Sequence, residues 1–385
     1  MAWLVLVSLI QAWQPAAPMP TPGYGYACAA VDGRVYAIGG LRDWTDSIAP
    51  RRVVEAYDVA RDTWLTGFAP MPQTRWYCGC AALDGKIYVL GGTDGCCQVG
   101  RVDRFDPVAN VWDTVAPLPW LRQALAACSF EGKIYAVGGL SGTPENPEYS
   151  PRAANFQPDG GAGYWTEMDS MEMPRASFGI DTADGAIYVA GGVFFGTTDR
   201  AEFYSHCPEG WSPVDRAMNI GRGGLAGAGY GHYFCVLGGI DRNRNYLGSV
   251  EVLNCSSGVW SVVEPLATPR VYLGAAIVGD EIIVLGGLGA TGSVGAVERH
   301  SLFVEGISEN RSAPSGSGLR FATIARGQVR IKANPNQLVE VVDGRGNVVV
   351  PWTRSVDSRL PPGVYFARVL DSAQGSSARK LVVVQ

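Results

Sequence analysis

Short runs of apolar residues, each bounded by turn residues, recur along most of this chain. The clearest run lies at residues 84–92 and reads Asp-Gly-Lys-Ile-Tyr-Val-Leu-Gly-Gly. An Asp-Gly turn comes first, a β-branched and aromatic run follows, and a glycine pair ends it, which is typical of a short β-strand. Up to about residue 305 we find no amphipathic helical pattern, so the sequence predicts an all-β fold.

The unit occurs six times, and the first glycines of successive copies are 47 to 53 residues apart. A strand repeat of this length indicates a propeller, in which each repeat forms one four-stranded sheet. Stacking the sheets face to face in a ring buries both faces of every sheet. The glycine pairs are Gly39 and Gly40, Gly91 and Gly92, Gly138 and Gly139, Gly191 and Gly192, Gly238 and Gly239, and Gly286 and Gly287.

Two other residue types keep a constant place in the repeat. An arginine lies 16 residues before the first glycine in five copies, and Gly23 takes that place in the first copy. A tryptophan follows an acidic and aromatic strand in the first five copies. Over residues 13–305 these features resemble the kelch repeat, which implies a six-bladed kelch β-propeller with one repeat per blade. The residues are Arg75, Arg122, Arg175, Arg222 and Arg270, and Trp64, Trp112, Trp165, Trp211 and Trp260.

The beginning of the propeller segment carries a sixth tryptophan, Trp13. Residues 13–20 match residues 112–119 at Trp, Ala, Pro and Pro, whereas the sixth repeat has no tryptophan of its own. We therefore expect residues 13–20 to form the outer strand of the last blade. Such a closure leaves no exposed sheet edge.

Residues 1–12 precede this segment. Residues 2–10 are apolar apart from Ser8, and Gln11 and Ala12 follow. This pattern resembles the apolar core and cleavage site of a secretory signal peptide, although no basic residue precedes the core. Because no apolar run reaches 18 residues, no transmembrane segment is predicted.

The C-terminal part has a different chemistry. Residues 306–385 contain 11 basic and 5 acidic side chains, whereas residues 1–305 contain 20 and 31, which gives net charges of +6 and −11. A segment rich in Ser, Gly and Pro at residues 306–318 is typical of a linker. The charge difference indicates a separate domain at residues 319–385.

That domain resembles the type A C-terminal sorting domain of the bacterial type IX secretion system. The matching pieces are Ala-Asn-Pro at residues 333–335, Gly-Val-Tyr-Phe at 363–366 and the ending at 378–385. The resemblance implies a small β-sandwich that the outer-membrane secretion machinery recognises. Together with the signal peptide it implies an extracytoplasmic protein, secreted or held on the outer surface of a bacterium.

The five arginines open the first strand of their blades, so we expect them around the mouth of the central channel. As ligand-binding groups they would form a collar for a carboxylate, because arginine pairs with carboxylates through two parallel hydrogen bonds. As structural groups each would pair with an acidic residue on a third strand. The matching number of acids favours the structural interpretation. The candidate acids are Glu55, Asp103, Glu202, Glu251 and Glu298.

The remaining reactive side chains do not indicate a metal site or a cofactor. The three histidines lie in different repeats at non-equivalent positions, and the nine cysteines show no zinc-binding spacing. Cys28 and Cys80 occupy equivalent inner strands, where small buried thiols fit well. Cys96 and Cys97 are adjacent on a predicted loop and could form a strained disulfide.

Binding is the function class that the sequence favours. The acidic propeller argues against nucleic acid and anionic membranes as partners, and no nucleophile motif or phosphate loop is present. We expect a glycan or protein ligand on the loops that follow the glycine pairs, since function usually lies on such loops. The alternative is an enzyme similar to sialate mutarotases, which would need a catalytic acid or histidine beside the arginines at the mouth.

Overall fold

The structure is a computed structural model that describes residues 12–42, 51–143, 146–206 and 209–301, and strands between residues 321 and 384. The predicted signal peptide core, most of the first loop and the predicted linker lie outside the described residues. Two compact units are present, Met1–Phe303 and Val304–Gln385. Every regular element in the described parts is a β-strand, so the all-β prediction is confirmed.

Six four-stranded antiparallel sheets form the first unit, one per repeat, and they are the blades of a propeller. In each blade the first strand is innermost. Blade 1 contains β2 (Ala27–Val31), β3 (Arg34–Ile38), β4 (Val54–Asp58) and β5 (Thr63–Leu65). Blade 2 contains β6 (Gly79–Leu83), β7 (Lys86–Leu90), β8 (Val102–Asp106) and β9 (Val111–Val115). Blade 3 contains β10 (Ala126–Phe130), β11 (Lys133–Val137), β14 (Ala153–Gln157) and β15 (Tyr164–Met168), with a hairpin of β12 (Leu140–Gly142) and β13 (Pro147–Tyr149) in its loop.

The other three blades repeat this order. Blade 4 contains β16 (Gly179–Ala183), β17 (Ala186–Ala190), β18 (Ala201–His206) and β19 (Glu209–Pro213). Blade 5 contains β20 (Ala226–Tyr230), β21 (Tyr233–Leu237), β22 (Val250–Asn254) and β23 (Val259–Val263). Blade 6 contains β24 (Gly274–Val278), β25 (Glu281–Leu285), β28 (Val297–Ser301) and β1 (Gln14–Ala16), with a hairpin of β26 (Leu288–Gly289) and β27 (Gly292–Ser293) in its loop.

The two ends of the propeller segment meet in blade 6. Strand β1 pairs antiparallel with β28, and Gln14 lies opposite Arg299 while Ala16 lies opposite Val297. The innermost strands contact one another around a closed circle, β24 against β2 included. The ring is therefore closed by a strand from the beginning of the segment, which gives blade 6 the same four strands as the other blades.

Apolar side chains fill the spaces between successive blades. One cluster lies at each of the six interfaces; the cluster between blades 1 and 2, for example, joins Tyr36 and Ala56 to Ile87, Val89 and Phe105. The alternation in each strand sends residues to both faces, and both faces are covered by a neighbouring blade. Burial of these clusters supplies the main stabilising term of the ring.

Six tryptophans on or just before the outer strands join each blade to the preceding one. In every case the indole Nε1–H donates to a backbone carbonyl in the connection that leaves the preceding outer strand, at 2.8–3.0 Å. Trp13 makes this bond to Glu264 and packs in the cluster between blades 5 and 6. It thus performs in blade 6 the role of the other five, which are Trp64, Trp112, Trp165, Trp211 and Trp260.

A carboxylate joins the inner strands of blades 4 and 5. Asp181 accepts the backbone N–H of Gly229 at 2.9 Å and that of Thr182 at 2.8 Å. Glycines allow these strands to approach closely, because a Cβ at Gly227 would lie 2.6 Å from the backbone nitrogen of Ile180. Burial raises the pKa of Asp181 to about 6, and the two N–H donors offset only part of this shift.

Asp181 makes stability depend on pH in a window set by this pKa. In the unfolded chain the carboxyl ionises near pH 4, whereas the folded chain keeps the proton up to about pH 6. The folded state therefore binds more protons between these values, and its stability falls as pH rises through them. We expect the stability of the wild type relative to Asp181→Asn to fall by about 1–3 kcal/mol between pH 4 and pH 7. Urea unfolding of both proteins at several pH values measures this difference, and a constant difference would contradict the assignment.

The second unit contains seven strands in two antiparallel sheets. One sheet has the order β29-β30-β33 and the other the order β32-β31-β34-β35. The strands are β29 (Phe321–Ala325), β30 (Gln328–Lys332), β31 (Gln337–Asp343), β32 (Val348–Thr353), β33 (Ser355–Arg359), β34 (Gly363–Asp371) and β35 (Ser377–Val384).

Candidate functional site

One side of the propeller carries the loops that follow the glycine pairs and the connections between blades; we call it the loop face. The glycine pairs place these two sets of segments next to each other. In five blades a Cβ on the first glycine would lie 2.7 Å from the carbonyl oxygen of the arginine in the next blade. Both glycines of each pair also have positive φ. Only glycine satisfies both conditions, which explains the repeated pair.

A closed circle of backbone hydrogen bonds surrounds the channel on the loop face. The residue two positions after each arginine has a positive φ of 51–65° and donates its N–H to the equivalent carbonyl of the preceding blade at 2.7–3.0 Å. Gly25 occupies this place in blade 1 and accepts from Tyr77, while its own N–H donates to Tyr272. We call these residues the mouth ring; they are Gly25, Tyr77, Ala124, Ser177, Gly224 and Tyr272.

The five arginines lie inside the blades, and each stands two residues before a mouth-ring residue in the sequence. Each is at most 1% exposed. Arg222 shows the common geometry: its Nη1 donates to the carbonyls of Gly238 at 3.0 Å and Ser249 at 2.8 Å, and its Nη2 donates to Glu251 at 2.5 Å. Burial lowers the pKa of Arg222, and the Glu251 carboxylate offsets part of this shift. The guanidinium therefore bonds the second and third strands of its own blade.

Four arginines have an acidic partner on the third strand, as the structural interpretation predicted. The three glutamates also accept backbone N–H groups; Glu251, for instance, accepts those of Asn219 and Ile220. Asp103 instead accepts from the side chains of Arg101 and Thr114. These carboxylates are 0–3% exposed, so each pair is desolvated and bonded on several sides. The pairs are Arg75 with Asp103, Arg175 with Glu202, Arg222 with Glu251, and Arg270 with Glu298.

Two blades depart from this pattern. In blade 3 the position of the acid is taken by Ala154, and the Nη2 of Arg122 is buried with no hydrogen-bond partner in the described chain. Instead the Arg122 guanidinium lies 4.6 Å from the ring centroid of Trp120. Burial, followed by the nearby Arg152, lowers the pKa of Arg122 to about 10. In blade 1 Glu55 is present, but Gly23 stands where the arginine would be.

The placement of the arginines bears on both sequence-based hypotheses. A collar that binds a carboxylate would need exposed guanidinium groups, and these are buried within the blades. The alternative enzyme also depended on arginines at the mouth, so it loses the feature on which it rested. Within the described residues no group of three or more His, Cys, Asp or Glu side chains could hold a metal ion, and no helix there is long and apolar enough to span a membrane.

The loop face instead presents aromatic side chains, which the sequence analysis did not select. Tyr149 on β13, together with Phe194 and Phe195 in the loop of blade 4, forms a cluster that we call the aromatic triad. The ring centroids are 4.9–5.7 Å apart with edge-to-face geometry. Phe194 is 39% exposed and Phe195 79% exposed. The one available sequence signal was the Val-Phe-Phe-Gly run directly after a glycine pair.

Four more aromatic residues lie at the loop face in blades 1, 2 and 6. Tyr24 and Trp76 are buried in a cluster at the loop face, and Tyr77 and Tyr272 of the mouth ring pack against that cluster. The rings of Tyr77 and Tyr272 are 4.9 Å apart. Burial raises the pKa of both hydroxyls, and the two hydroxyls hydrogen-bond each other. The mouth therefore offers ring surface together with hydroxyl groups.

Comparisons with known proteins agree with this architecture. A family model described as the kelch motif matches residues 22–67 and 75–119, which hold the first two blades. Kelch-like protein terF of Aspergillus terreus is 25% identical over 71% of this chain and 62% of its own. An F-box/kelch-repeat protein of Arabidopsis thaliana is 35% identical over 29% of this chain and 27% of its own. Kelch-like protein 35 of Mus musculus is 31% identical over 48% and 30% of the two chains.

These alignments cover less than two thirds of the length of each relative. The residues matched by the family model lie in the propeller, and the repeated glycine pairs and tryptophans lie at equivalent places in all six sheets. The chain therefore carries kelch repeats, and these fold into a six-bladed β-propeller.

Proposed function

We propose that this propeller is a binding module that recognises a protein partner through its loop face, with the aromatic triad as the main contact. Kelch propellers bind protein partners, and exposed aromatic side chains dominate the energy of many protein interfaces. The observation that carries the proposal is the exposure of Phe195 at 79% beside two further aromatic rings.

Phe195 also has an unfavourable backbone. Its φ is +51°, a left-handed conformation that is an outlier for a bulky residue. A residue in this conformation costs of order 1 kcal/mol, and such strain concentrates at functional sites. Neither exposure nor strain helps the isolated propeller to fold. Both have a use if the ring is inserted into a partner.

The shape and charge of this face favour one class of partner. A projecting phenylalanine fits a pocket in another protein better than the flat face of a sugar ring. The net charge of −11 over residues 1–305 repels anionic membranes, and it favours a partner with a basic rim around that pocket.

Phe195→Ala is expected to weaken binding to loop-face ligands by roughly 30-fold or more, the usual effect of removing an interface hot spot. Because no partner is identified, peptides selected from a displayed library against the full-length protein serve as ligands. Isothermal titration of each selected peptide with wild type and variant measures the change. The unfolding midpoint should stay the same or rise slightly, since the variant removes exposed apolar surface.

Val108→Ala is the matched control. Val108 is 87% exposed, but it lies in the turn between β8 and β9, on the side opposite the loop face. Its removal should leave every affinity unchanged. Peptides that lose affinity for Val108→Ala and keep it for Phe195→Ala would place the binding surface on the wrong side for this proposal.

A glycan is the second candidate ligand. Tyr77 and Tyr272 combine ring faces with neutral hydroxyls at the mouth, a combination that suits stacking and hydrogen bonding to a sugar. A glycan array probed with wild type and Tyr272→Ala distinguishes the two ligands. Glycan binding that depends on Tyr272 but not on Phe195 would favour the second candidate.

We further propose that residues 319–385 direct export through the type IX machinery after removal of the signal peptide at residues 1–12. The supporting features are the matching sequence pieces, the basic charge of the segment and its separate compact unit of strands. The protein would then act outside the cytoplasm, secreted or on the outer cell surface.

A fusion tests the sorting role directly. Residues 319–385 attached to an unrelated periplasmic protein, in a bacterium with the type IX machinery, should carry that protein to the cell surface. The same fusion in a strain without the machinery should remain periplasmic. A fusion that stays periplasmic in both strains while the parent protein is exported would contradict the sorting role.

A further inference from the structure

Two adjacent cysteines lie at the tip of the loop that follows the glycine pair of blade 2. Cys96 and Cys97 are both exposed, and both thiols are free. Thr93 and Gln98 pair across the base of the loop, and the Asp94 N–H donates to the carbonyl of Cys97 at 3.3 Å. The loop is thus a tight hairpin with two thiols at its end.

The backbone beneath the thiols is held from several sides. Oδ1 of Asp94 accepts the N–H groups of Cys96 and Cys97 at 3.0 Å each, and these bonds lower the pKa of Asp94. The hydroxyl of Thr93 donates to the Cys97 carbonyl at 3.0 Å. The amide of Gln98 reaches the loop of blade 3 at the carbonyl of Gly142, 2.8 Å away. The pair of thiols is therefore presented by an ordered turn.

The number of available ligands restricts the metal that this turn could hold. No third His, Cys, Asp or Glu joins the pair in the described residues, and the carboxylate of Asp94 is engaged by backbone N–H groups. Zinc takes four ligands in structural sites. Soft thiolates select Cu(I), a cation that two sulfur ligands alone can satisfy.

We propose that Cys96 and Cys97 form a binding site for one Cu(I) ion, which both sulfurs coordinate as thiolates. Binding forms two Cu–S bonds and releases both thiol protons to solvent, and no oxidation state changes. The affinity therefore rises with pH, as for other thiolate sites. The ion would lie on the loop face, because the loop that carries both thiols follows the glycine pair of blade 2 and connects β7 to β8. The site does not depend on the proposed protein ligand.

The cysteines near the channel provide an internal comparison. Cys28, Cys78 and Cys80 lie in blades 1 and 2, and burial raises the pKa of Cys28 to about 12 and that of Cys78 to about 11. Burial also raises the pKa of Cys80 well above its usual range. These thiols stay protonated at neutral pH, whereas metal binding requires thiolates. The exposed pair, in contrast, is open to an ion from solvent.

Competition for Cu(I) tests the site. The full-length protein is reduced under anaerobic conditions and titrated into the bicinchoninate complex of Cu(I) with ascorbate present. We expect one ion per chain to transfer, and Cys96→Ser and Cys97→Ser should each weaken binding by about 100-fold or more, because a single thiolate remains. Cys28→Ser and Cys80→Ser should bind as the wild type does. Both exposed variants alter only a loop tip, and their unfolding midpoints confirm folding.

Three results would overturn the site. One is unchanged binding by a variant that lacks both exposed cysteines. Another is loss of binding in Cys80→Ser, which would show that the ion binds beside the channel instead. The third is recovery of Cys96 and Cys97 as a disulfide after the reduction step, because a disulfide has no thiolate to offer.

Discussion

Replacing Trp13 with alanine is expected to lower the free energy of unfolding of the propeller by about 3–5 kcal/mol, the usual cost of removing a buried aromatic side chain. Trp13 is 8% exposed, packs between blades 5 and 6 and bonds the carbonyl of Glu264 at 2.9 Å. Its loss weakens β1, the outer strand of blade 6, which is far in sequence from the other three strands of that blade. Denaturant unfolding measures the change, and hydrogen exchange should show loss of protection in β28, the partner of β1.

Two further variants distinguish weaker closure of the propeller ring from the loss of side-chain volume alone. Trp13→Phe keeps most of the apolar contact and loses only the indole hydrogen bond, so it should cost about 1 kcal/mol. Trp112→Ala removes an equivalent side chain from blade 2. The outer strand of that blade, β9, follows its partner β8 directly in the sequence. Faster exchange in β28 should follow from Trp13→Ala and not from Trp112→Ala. Equal exchange in the two variants would show that β1 does not depend on Trp13.

Arg222→Met is expected to destabilise the propeller by about 3–5 kcal/mol, because it leaves a buried carboxylate without its cation. Glu251 is 0% exposed and bonds Arg222 at 2.5 Å. Methionine retains much of the apolar stem, so the loss is electrostatic rather than a cavity. Urea unfolding at neutral pH measures it.

Arg122→Met is the matched control within the same molecule. Arg122 makes the same two types of carbonyl bond, to Gly138 at 2.7 Å and Arg152 at 3.2 Å, but no carboxylate faces it from Ala154. Its replacement leaves no buried charge behind, so the expected loss is only about 1–2 kcal/mol. Equal losses for Arg122→Met and Arg222→Met would show that the carbonyl bonds, not the ion pairs, hold the blades.

The repeat itself predicted most of the propeller. The spacing of the glycine pairs predicted six blades, and the match between residues 13–20 and 112–119 placed a strand from the start of the segment in blade 6, where β1 pairs with β28. These predictions were possible because the features depend on local residue types at fixed spacing. In the second unit the spacing is irregular, and the short strands β29 and β33 were not predicted.

The mouth ring could not be predicted from residue types. Its members range from glycine to tyrosine, because the conformation is imposed by a hydrogen bond between blades rather than by local preference. Tertiary bonding overrides the steric cost at Tyr77, Ala124, Ser177 and Tyr272. The only signal is a constant position, two residues after the arginine slot.

The direction of the arginine side chains also could not be predicted from the sequence. Position alone placed them at the start of the inner strands, which is compatible with either an exposed collar or a buried bond. The acids in the repeat made internal pairing the favoured interpretation, and four such pairs are present. Ala154 in blade 3 breaks the series, and Trp120 covers the arginine there instead.

The mouth ring has an electrostatic consequence for whatever enters the channel. In a helix the peptide dipoles add along one axis and create a field at each end. Here six N–H···O=C bonds follow one another head to tail around a circle, so their vectors cancel and the rim has almost no dipole moment in its own plane. These six bonds therefore create no net field in the plane of the rim that would attract or repel a charged ligand. Side chains at the entrance can change its charge preference by substitution without disturbing the ring that holds the blades.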